Sequence, residues 1–434
     1  MKKSLSTIFT FFVVSAFTFT NCQKPAVIDE ADVTRIITTL AADDMEGRMI
    51  FTPGIEKASK FIQAEFENIG LEYLDGLNSY DQQFDMFSIR PETMSATIDG
   101  KAMSEENIAA IANNEGVNWN NLADLNVITL GEEDNFQAKL NELRSATGKN
   151  LVLVHSTHQA MFNRYKGFLS RGSRVMKMEP DNATVMIITD LKSIKSVEIE
   201  VKNAVKAESL SNVTGKISGQ RANEIILFSG HYDHLGIRGT EGDTIYNGAN
   251  DDASGVTAVI TLAKYFKESG LKPERTIVFV AFTAEESGGF GSRYFSEQMD
   301  PDHIMAMFNI EMIGKGAKEG ANTAWITGFE KSTFGELLQQ AVEGSEYTFY
   351  ADPYPTQNLF YRSDNATLAR LGVPAHTIST TQIDIDKDYH QASDEVSTLD
   401  MAHMTNTIKA ISKAAVKMIS GEQTPSRVDP SGLR

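Results

Sequence analysis

Cysteine is almost absent from this 434-residue sequence, which contains only Cys22. A single cysteine excludes a disulfide within the chain, so the stability of the fold has to come from its core. Basic residues are also fewer than acidic ones. The sequence has 40 Lys and Arg against 58 Asp and Glu, which gives a formal net charge of −18. That balance argues against nucleic acid as a partner, since a phosphate backbone is bound by clustered Lys and Arg.

The first 21 residues lack acidic side chains. Lys2 and Lys3 precede an apolar stretch from Leu5 to Phe19, a pattern that is typical of a secretory signal peptide and too short for a membrane span. Cys22 follows at once, at the position where bacterial lipoproteins carry an acylated cysteine. We therefore expect an exported protein, either periplasmic or attached to the outer membrane through a lipid on Cys22; the alternative is a secreted protein without a lipid.

Apolar runs alternate with helical patterns after residue 206. Strands are predicted at 224–229, 275–282 and 304–312, with a helix at 253–268 between the first two. This alternation indicates an α/β fold with a mostly parallel central sheet flanked by helices. We expect the whole chain to divide into a signal peptide (1–21), an N-terminal helical part of the main domain (22–85), an inserted subdomain or lid of mixed α+β character (86–205), the α/β part of the main domain (206–422) and a C-terminal tail (423–434).

Two carboxylates, Glu285 and Glu286, stand side by side directly after the strand predicted at 275–282. Neighbouring acids repel each other and raise each other's pKa, so their pairing at a strand end calls for a reason. A metal ion would offset the repulsion by binding one carboxylate. The other carboxylate could then act on a molecule bound to the metal. The doublet is therefore a candidate for a metal ligand beside a general base.

Other imidazoles and carboxylates lie at the ends of predicted strands, at the start of a helix or in the loop before the last helix. They are His231, Asp233, Asp251, Glu311 and His390. In open α/β sheets, ligands bind beyond the carboxyl ends of the strands. Imidazole and carboxylate ligands without a thiolate suit catalytic zinc. Two such ions can stabilise both the attacking group and the leaving group of a hydrolysis.

Five segments together resemble the M28 family of zinc aminopeptidases, and they occur in the order expected of that family. They are Gly230-His-Tyr-Asp-His-Leu-Gly236, Gly248-Ala-Asn-Asp-Asp-Ala-Ser-Gly255, Ala284-Glu-Glu-Ser-Gly288, Asn309-Ile-Glu-Met-Ile-Gly314 and Tyr389-His390. Any one of them alone is a weak signal, whereas five in order are specific. The resemblance implies the zinc-dependent exopeptidase fold and two zinc ions as cofactors.

The resemblance also assigns the metal ligands. His231 and Glu311 would bind one zinc, Glu286 and His390 would bind the other, and Asp251 would bridge the two. Glu311 departs from the family pattern, because many members carry Asp at this position. The longer side chain keeps the carboxylate chemistry and changes the reach of the ligand.

Two further residues receive catalytic roles from the resemblance. Glu285 would be the general base that moves a proton from water to the leaving amine, and Asp233 would orient His231 by accepting from its ring. A cis peptide between Asp251 and Asp252 is implied as well. His234 is interpreted as a residue that lines the pocket and is not a ligand.

These assignments predict an exported zinc aminopeptidase that removes N-terminal residues from peptides through a metal-bridged water, with peptides bearing a free N-terminus as partners. Three alternatives stay open. A glutaminyl cyclase-like transferase would use a single zinc, a carboxypeptidase would need a cationic pocket to which Arg362 is one candidate contributor, and an inactive binding lipoprotein would keep the fold for recognition.

Overall fold

The structure is a computed structural model that describes residues 26–144 and 146–432. The expected signal peptide and Cys22 lie outside these residues. Within the described ranges, no helix has both the length and the apolar character that crossing a bilayer requires.

The described residues form helices and strands with the following bounds. The α-helices are α1 (Glu30–Leu40), α2 (Pro53–Ile69), α3 (Phe136–Arg144), α4 (Gln159–Leu169), α5 (Ser254–Glu268), α6 (Phe290–Gln298), α7 (Phe334–Val342), α8 (Asn365–Ala369) and α9 (Met401–Ile419). The strands are β1 (Asp81–Ile98), β2 (Lys101–Ala102), β3 (Ile108–Ala112), β4 (Gly116–Trp119), β5 (Asn126–Leu130), β6 (Lys149–Val154), β7 (Ser173–Val175), β8 (Ala183–Ile188), β9 (Val197–Ile217), β10 (Arg221–His231), β11 (Gly236–Ile237), β12 (Ile245–Tyr246), β13 (Arg275–Phe282), β14 (Ile304–Ile310), β15 (Thr323–Ile326), β16 (Thr348–Ala351) and β17 (Ala375–Ser379).

One large sheet forms the centre of the molecule, with the strand order β16-β15-β17-β14-β10-β13-β9-β1-β2. Strands β13, β10, β14 and β17 are parallel neighbours, whereas β9 and β15 join them in antiparallel pairing. Helices α1, α2, α5, α7 and α9 contribute to the core on one face, and α6 and α8 contribute to the core on the other. The α/β fold class and the mostly parallel sheet flanked by helices are therefore confirmed.

The central strands are apolar along their whole length because both faces of the sheet are covered. Every residue of β13 is buried. The ring of Phe228 on β10 lies 5.6 Å from that of Phe279 on β13 and 4.8 Å from that of Phe308 on β14. Strand β10 runs two residues past its predicted end, because His231 still pairs with Phe282. His231 is thus held by the sheet itself.

A second, four-stranded sheet lies between β1 and β9 in the sequence, with the order β3-β8-β6-β5. It has its own apolar clusters, one of which includes residues of α3 and α4. Strands β1 and β9 pair with each other from Asp81 to Ile98. The expected boundaries at residues 86 and 205 fall inside these two strands, so the central sheet continues into the inserted segment through a shared pair of strands.

His376 on β17 is a fully buried histidine outside the expected site. Its Nδ1 lies 2.8 Å from the carbonyl oxygen of Thr327, and its Nε2 lies 2.7 Å from the hydroxyl of Ser332. These contacts suit a neutral ring that donates to the carbonyl and accepts from the hydroxyl. Burial lowers the pKa of His376 to about 4.

This lowered pKa predicts a loss of stability in acid. The unfolded chain binds the proton near pH 6.5 and the folded chain only near pH 4, so protonation favours unfolding between these values. We expect His376 to lower the free energy of unfolding by about 1.4 kcal/mol per pH unit over this range, roughly 3 kcal/mol in all. Urea unfolding of His376→Gln at pH 7 and pH 4.5 should show a smaller difference than the wild type. His303→Gln, at a side chain that is 43% exposed, is the control; equal pH dependence in wild type and His376→Gln would contradict the assignment.

Candidate active site

Three neighbouring parallel strands end at one edge of the central sheet. His231 is the last residue of β10, Glu285 and Glu286 follow β13, and Glu311 follows β14. Because β10 lies between β13 and β14, these side chains meet at the carboxyl edge, where α/β folds place their ligands.

Asp251 reaches the same edge from the turn before α5. The turn Ala249–Ala253 is a short π-helical segment, and the Asp251–Asp252 peptide is cis, as the family resemblance implied. One carboxylate oxygen of Asp251 lies 3.2 Å from Nε2 of His231, and the other lies 3.1 Å from Nε2 of His390. Asp251 therefore stands between two groups of side chains and faces both.

Two sets of ligand atoms surround Asp251, and within each set the atoms lie within 4.8 Å of one another. The first set contains His231, Asp251 and Glu311, and the second contains His234, Asp251 and Glu286. His390 adjoins the second set, because its Nε2 lies 3.2 Å from Oε1 of Glu286. The structure thus brings together all five residues predicted as metal ligands, and it adds His234, which sequence reasoning had set aside.

The nitrogen and oxygen atoms of this cluster are arranged to bind metal ions and not to form hydrogen bonds with one another. Nε2 of His231, Nδ1 of His234 and Oε1 of Glu286 are buried and have no hydrogen-bond partner among the described residues. Buried polar atoms are nearly always paired, and these atoms approach neighbouring ligand atoms closely without hydrogen-bond geometry. Nitrogen and oxygen donors that converge in this way suit zinc. His231, Asp251 and Glu311 would hold one ion, and Asp251, Glu286 and His390 would hold the second.

Asp233 supports the cluster in a way that differs in one detail from the expectation. Nδ1 of His231 lies 3.1 Å from the backbone carbonyl of Asp233, whereas the carboxylate is 3.9 Å away. The carboxylate instead accepts hydrogen bonds from the backbone amides of Glu285 and Glu286, at 3.0 and 3.3 Å. Asp233 therefore orients the ring of His231 through its main chain and fixes the glutamate doublet through its side chain.

Two other buried carboxylates hold the backbone around the ligands. Asp252 accepts hydrogen bonds from the amides of His231 and Met312, both at 3.1 Å. Asp394 accepts from the amide of Asp251 at 3.0 Å. Asp252 could have been found from its place beside Asp251 in the motif. Asp394 has no such signal, because its role depends on the path of a distant loop.

Arg48 is a fully buried arginine beneath the site. Its guanidinium donates to the carbonyl oxygens of Leu40, Tyr232, Asn247 and Gly248, at 2.7, 2.8, 2.5 and 2.9 Å. The last three carbonyls belong to the two loops that carry metal-ligand candidates. A single cation therefore ties the N-terminal segment to both loops.

We expect Arg48→Met to lower the free energy of unfolding by about 3 kcal/mol or more, because four buried carbonyls lose a charged donor. Chemical unfolding of the metal-free protein measures this loss directly. Arg238→Met is the matched control, since Arg238 is exposed and donates to one carbonyl. A loss of stability no larger than that of the control would show that Arg48 does not hold the loops together.

Burial dominates the electrostatics of the site. It raises the pKa of Glu311 to about 7. It also raises the pKa of Glu285 well above its ordinary value, and the nearby carboxylates of Glu311, Asp364 and Glu286 add to this rise while His231 opposes it. So many buried acids at one place require compensation by cations, which bound metal ions would supply.

A pocket opens directly beside Glu311. Its lining is largely uncharged, and the residues are Glu311, Met312, Trp325, Thr327, Leu359, Arg362, Ser363, Thr377, Ser379, Thr381, Ile383 and Tyr389. Tyr389 precedes His390, and the two rings stack with centroids 4.0 Å apart. The pocket and the cluster thus share one wall, so a side chain bound in the pocket would place its backbone next to the ligand cluster.

The central strands of the sheet are parallel, and two sets of histidine and carboxylate side chains converge at its carboxyl edge. This arrangement defines a candidate dinuclear metal site of the kind found in hydrolases. Residues 212–415, which carry every residue of the two sets, match the model of peptidase family M28. Over this segment the chain is therefore similar to peptidase family M28.

Sequence relatives agree with this assignment over part of their length. A probable zinc metalloprotease from Pyrenophora teres f. teres is 24% identical over 184 residues, which are 42% of this chain and 37% of that protein. A vacuolar membrane protease from Schizosaccharomyces japonicus is 30% identical over 139 residues, or 32% of this chain and 15% of that protein. The chain thus matches well under half the length of these curated relatives.

Solved structures share the fold across nearly the whole chain. An aminopeptidase from Aneurinibacillus sp. strain AM-1 superposes with a TM-score of 0.54 at 18% identity, covering 94% of this chain and 96% of that one. A zinc aminopeptidase from Bacillus subtilis gives a TM-score of 0.55 at 15% identity, covering 94% and 99%. At these identities the similarity establishes the architecture.

Proposed function

We propose that the chain is a zinc metallo-exopeptidase that hydrolyses N-terminal residues of peptides at a centre of two zinc ions. The observation that carries this proposal is the convergence of His231, Asp251, Glu286 and His390 with donor atoms 3.1–3.2 Å apart, next to a second glutamate that belongs to neither set of ligand atoms. The family match and the names of the relatives support the same activity.

Glu285 is the residue placed to move protons. The amide that Asp233 holds fixes its backbone, and burial keeps the pKa of its carboxyl high, which suits a group that takes a proton from water and returns it to the leaving amine. Zinc, when bound, supplies Lewis acidity and lowers the pKa of water. Asp233 and Asp252 hold the surrounding loops so that these groups keep their positions.

An N-terminal amine is the favoured feature of the substrate because the site is rich in buried acids. Both carboxylate oxygens of Asp364 are buried without a hydrogen-bond partner in the described part of the chain, and burial raises the pKa of Asp364 to about 6. An α-ammonium group would offset this negative charge. The pocket beside Glu311 would take the side chain of the first residue, and its lining favours an uncharged one.

Hydrolysis of a panel of aminoacyl p-nitroanilides, each paired with its N-acetylated form, tests the proposal. We expect turnover of amides with uncharged first residues, loss of turnover on N-acetylation, and loss on chelation. N-terminal glutamine cyclisation with one zinc per chain would instead support a glutaminyl cyclase-like transferase. Zinc binding without turnover of any substrate would support a binding protein.

The position of Arg362 calls for one further assay, which tests for carboxypeptidase activity. It is exposed and lines the pocket beside Glu311, so it is available to a substrate carboxylate. Release of C-terminal residues from N-acetylated peptides, abolished in Arg362→Gln, would support a carboxypeptidase in place of an aminopeptidase.

We also propose that the protein is exported, and that Cys22 carries a lipid. The basic and apolar pattern of residues 1–21 supports export. Mass spectrometry of the mature chain from a bacterial host would show an N-terminal diacylated Cys22, and Cys22→Ser would release the protein from the membrane fraction. An uncleaved chain in the cytoplasm would contradict export.

A further inference from the structure

His234 lies inside the cluster, although none of the expected roles uses it. Its Nδ1 is 2.9 Å from Oε1 of Glu286 and 3.9 Å from Oδ2 of Asp251. The ring centroid lies 5.9 Å from that of His390. The imidazole therefore faces the same point as the three donors of the second ion.

The contact between His234 and Glu286 is not a hydrogen bond. Both Nδ1 of His234 and Oε1 of Glu286 are buried without a hydrogen-bond partner among the described residues, despite the 2.9 Å between them. A ring that served only to orient the glutamate would direct its N–H at that oxygen. Two electron-rich atoms that lie this close without a hydrogen bond between them are arranged as ligands of a shared cation.

The backbone holds the ring in this position. The amide of His234 donates to the carbonyl of Arg48 at 3.2 Å. Gly248 lies against the ring, and a Cβ at this position would come within 2.5 Å of the Cγ and Cδ2 atoms of His234. Gly248 also has a φ of +55°, a conformation that favours glycine. The imidazole is thus packed against the loop that carries Asp251 and has little freedom to turn away.

We propose that His234 is a fourth protein ligand, through Nδ1, of the ion held by Asp251, Glu286 and His390. This inference rests on the proposed metal centre and deepens it. The two ions are then held unequally, because three protein side chains hold the first and four hold the second.

The unequal sites predict an order of metal loss. The ion bound by His231, Asp251 and Glu311 should leave first when a competing chelator is titrated into the loaded protein. His234→Leu removes the nitrogen while keeping an apolar side chain of similar volume. We expect it to weaken binding of one of the two ions by at least about tenfold, the smallest loss usual even for outer partners of a ligand, and to leave the other unchanged.

X-ray absorption at the zinc edge separates a ligand from a residue that only orients one. In protein loaded with two zinc ions, imidazole scattering should fall by about a third in His234→Leu, since one of three ligating imidazoles is lost. His234→Asn, which keeps a polar group near the position of Nδ1, should show the same loss of imidazole scattering and decides the matter if the leucine variant does not fold. His403→Leu is the control, because His403 is also buried with an unpaired Nε2 but lies on α9 outside the cluster.

The possible outcomes distinguish this inference from the proposed function. If wild-type protein binds two zinc ions and both His234 variants keep the full imidazole scattering, the fourth ligand is refuted and the peptidase proposal stands. If the wild type binds no zinc, the proposed function itself fails. Loss of imidazole scattering in the His234 variants but not in His403→Leu supports the assignment.

Discussion

Replacing Asp251 with Ala is expected to weaken the binding of both zinc ions and to lower peptidase turnover by about 10⁴-fold or more, because most of the acceleration over the uncatalysed reaction depends on the paired ions. Asp251 is the residue common to both sets of ligand atoms. Its two oxygens contact His231 on one side and His390 on the other. No other ligand faces both sets in this way among the described residues, so the remaining side chains would make two incomplete sites.

Metal content by mass spectrometry and turnover of an aminoacyl amide measure this result on the same sample. Asp302→Ala is the control, because the side chain of Asp302 is 90% exposed and the variant should keep two ions and full activity. An Asp251→Ala protein that retained one tightly bound zinc with substantial turnover would contradict the bridging role.

Glu285→Gln is the second large effect. We expect turnover to fall by about 10²–10⁴-fold, the usual contribution of a general acid or base, while the protein keeps both zinc ions. Glutamine has nearly the shape of glutamate but cannot accept a proton. Its backbone amide can still donate to Asp233, so the doublet should keep its place and Glu286 its metal.

The separation of activity from metal binding is the informative part of this variant. Glu297→Gln changes an exposed glutamate on α6 and should leave both properties unchanged. Loss of zinc from Glu285→Gln would indicate that Glu285 is a metal ligand. Unchanged turnover would exclude Glu285 as the proton carrier.

The sheet and the ligands at its edge were predictable from sequence because they follow from local patterns. Continuous apolar runs mark buried parallel strands, and the strand predicted at 275–282 is β13 with the same bounds. Polar residues at the carboxyl ends of such strands must converge once the strands pair. His231, Glu285, Glu286 and Glu311 could therefore be placed at one edge without knowledge of the loops.

Residues whose role depends on a loop path were missed. A turn follows His234, because Gly236 adopts a positive φ of 76°, yet the ring of His234 packs inward against Gly248. Arg48 and Asp394 act on backbone groups that are 143 to 200 positions away in the sequence. No periodicity or spacing reports contacts of that kind, because they exist only after the sheet has formed.

In the proposed mechanism, two ions on one shared carboxylate form the working centre. Titrating zinc into chelator-treated wild-type protein, with turnover of a leucyl amide and bound metal followed together, tests it most directly. We expect negligible turnover without metal and full recovery only as the second equivalent binds. Full activity at one equivalent, or activity that survives complete removal of metal, would contradict it.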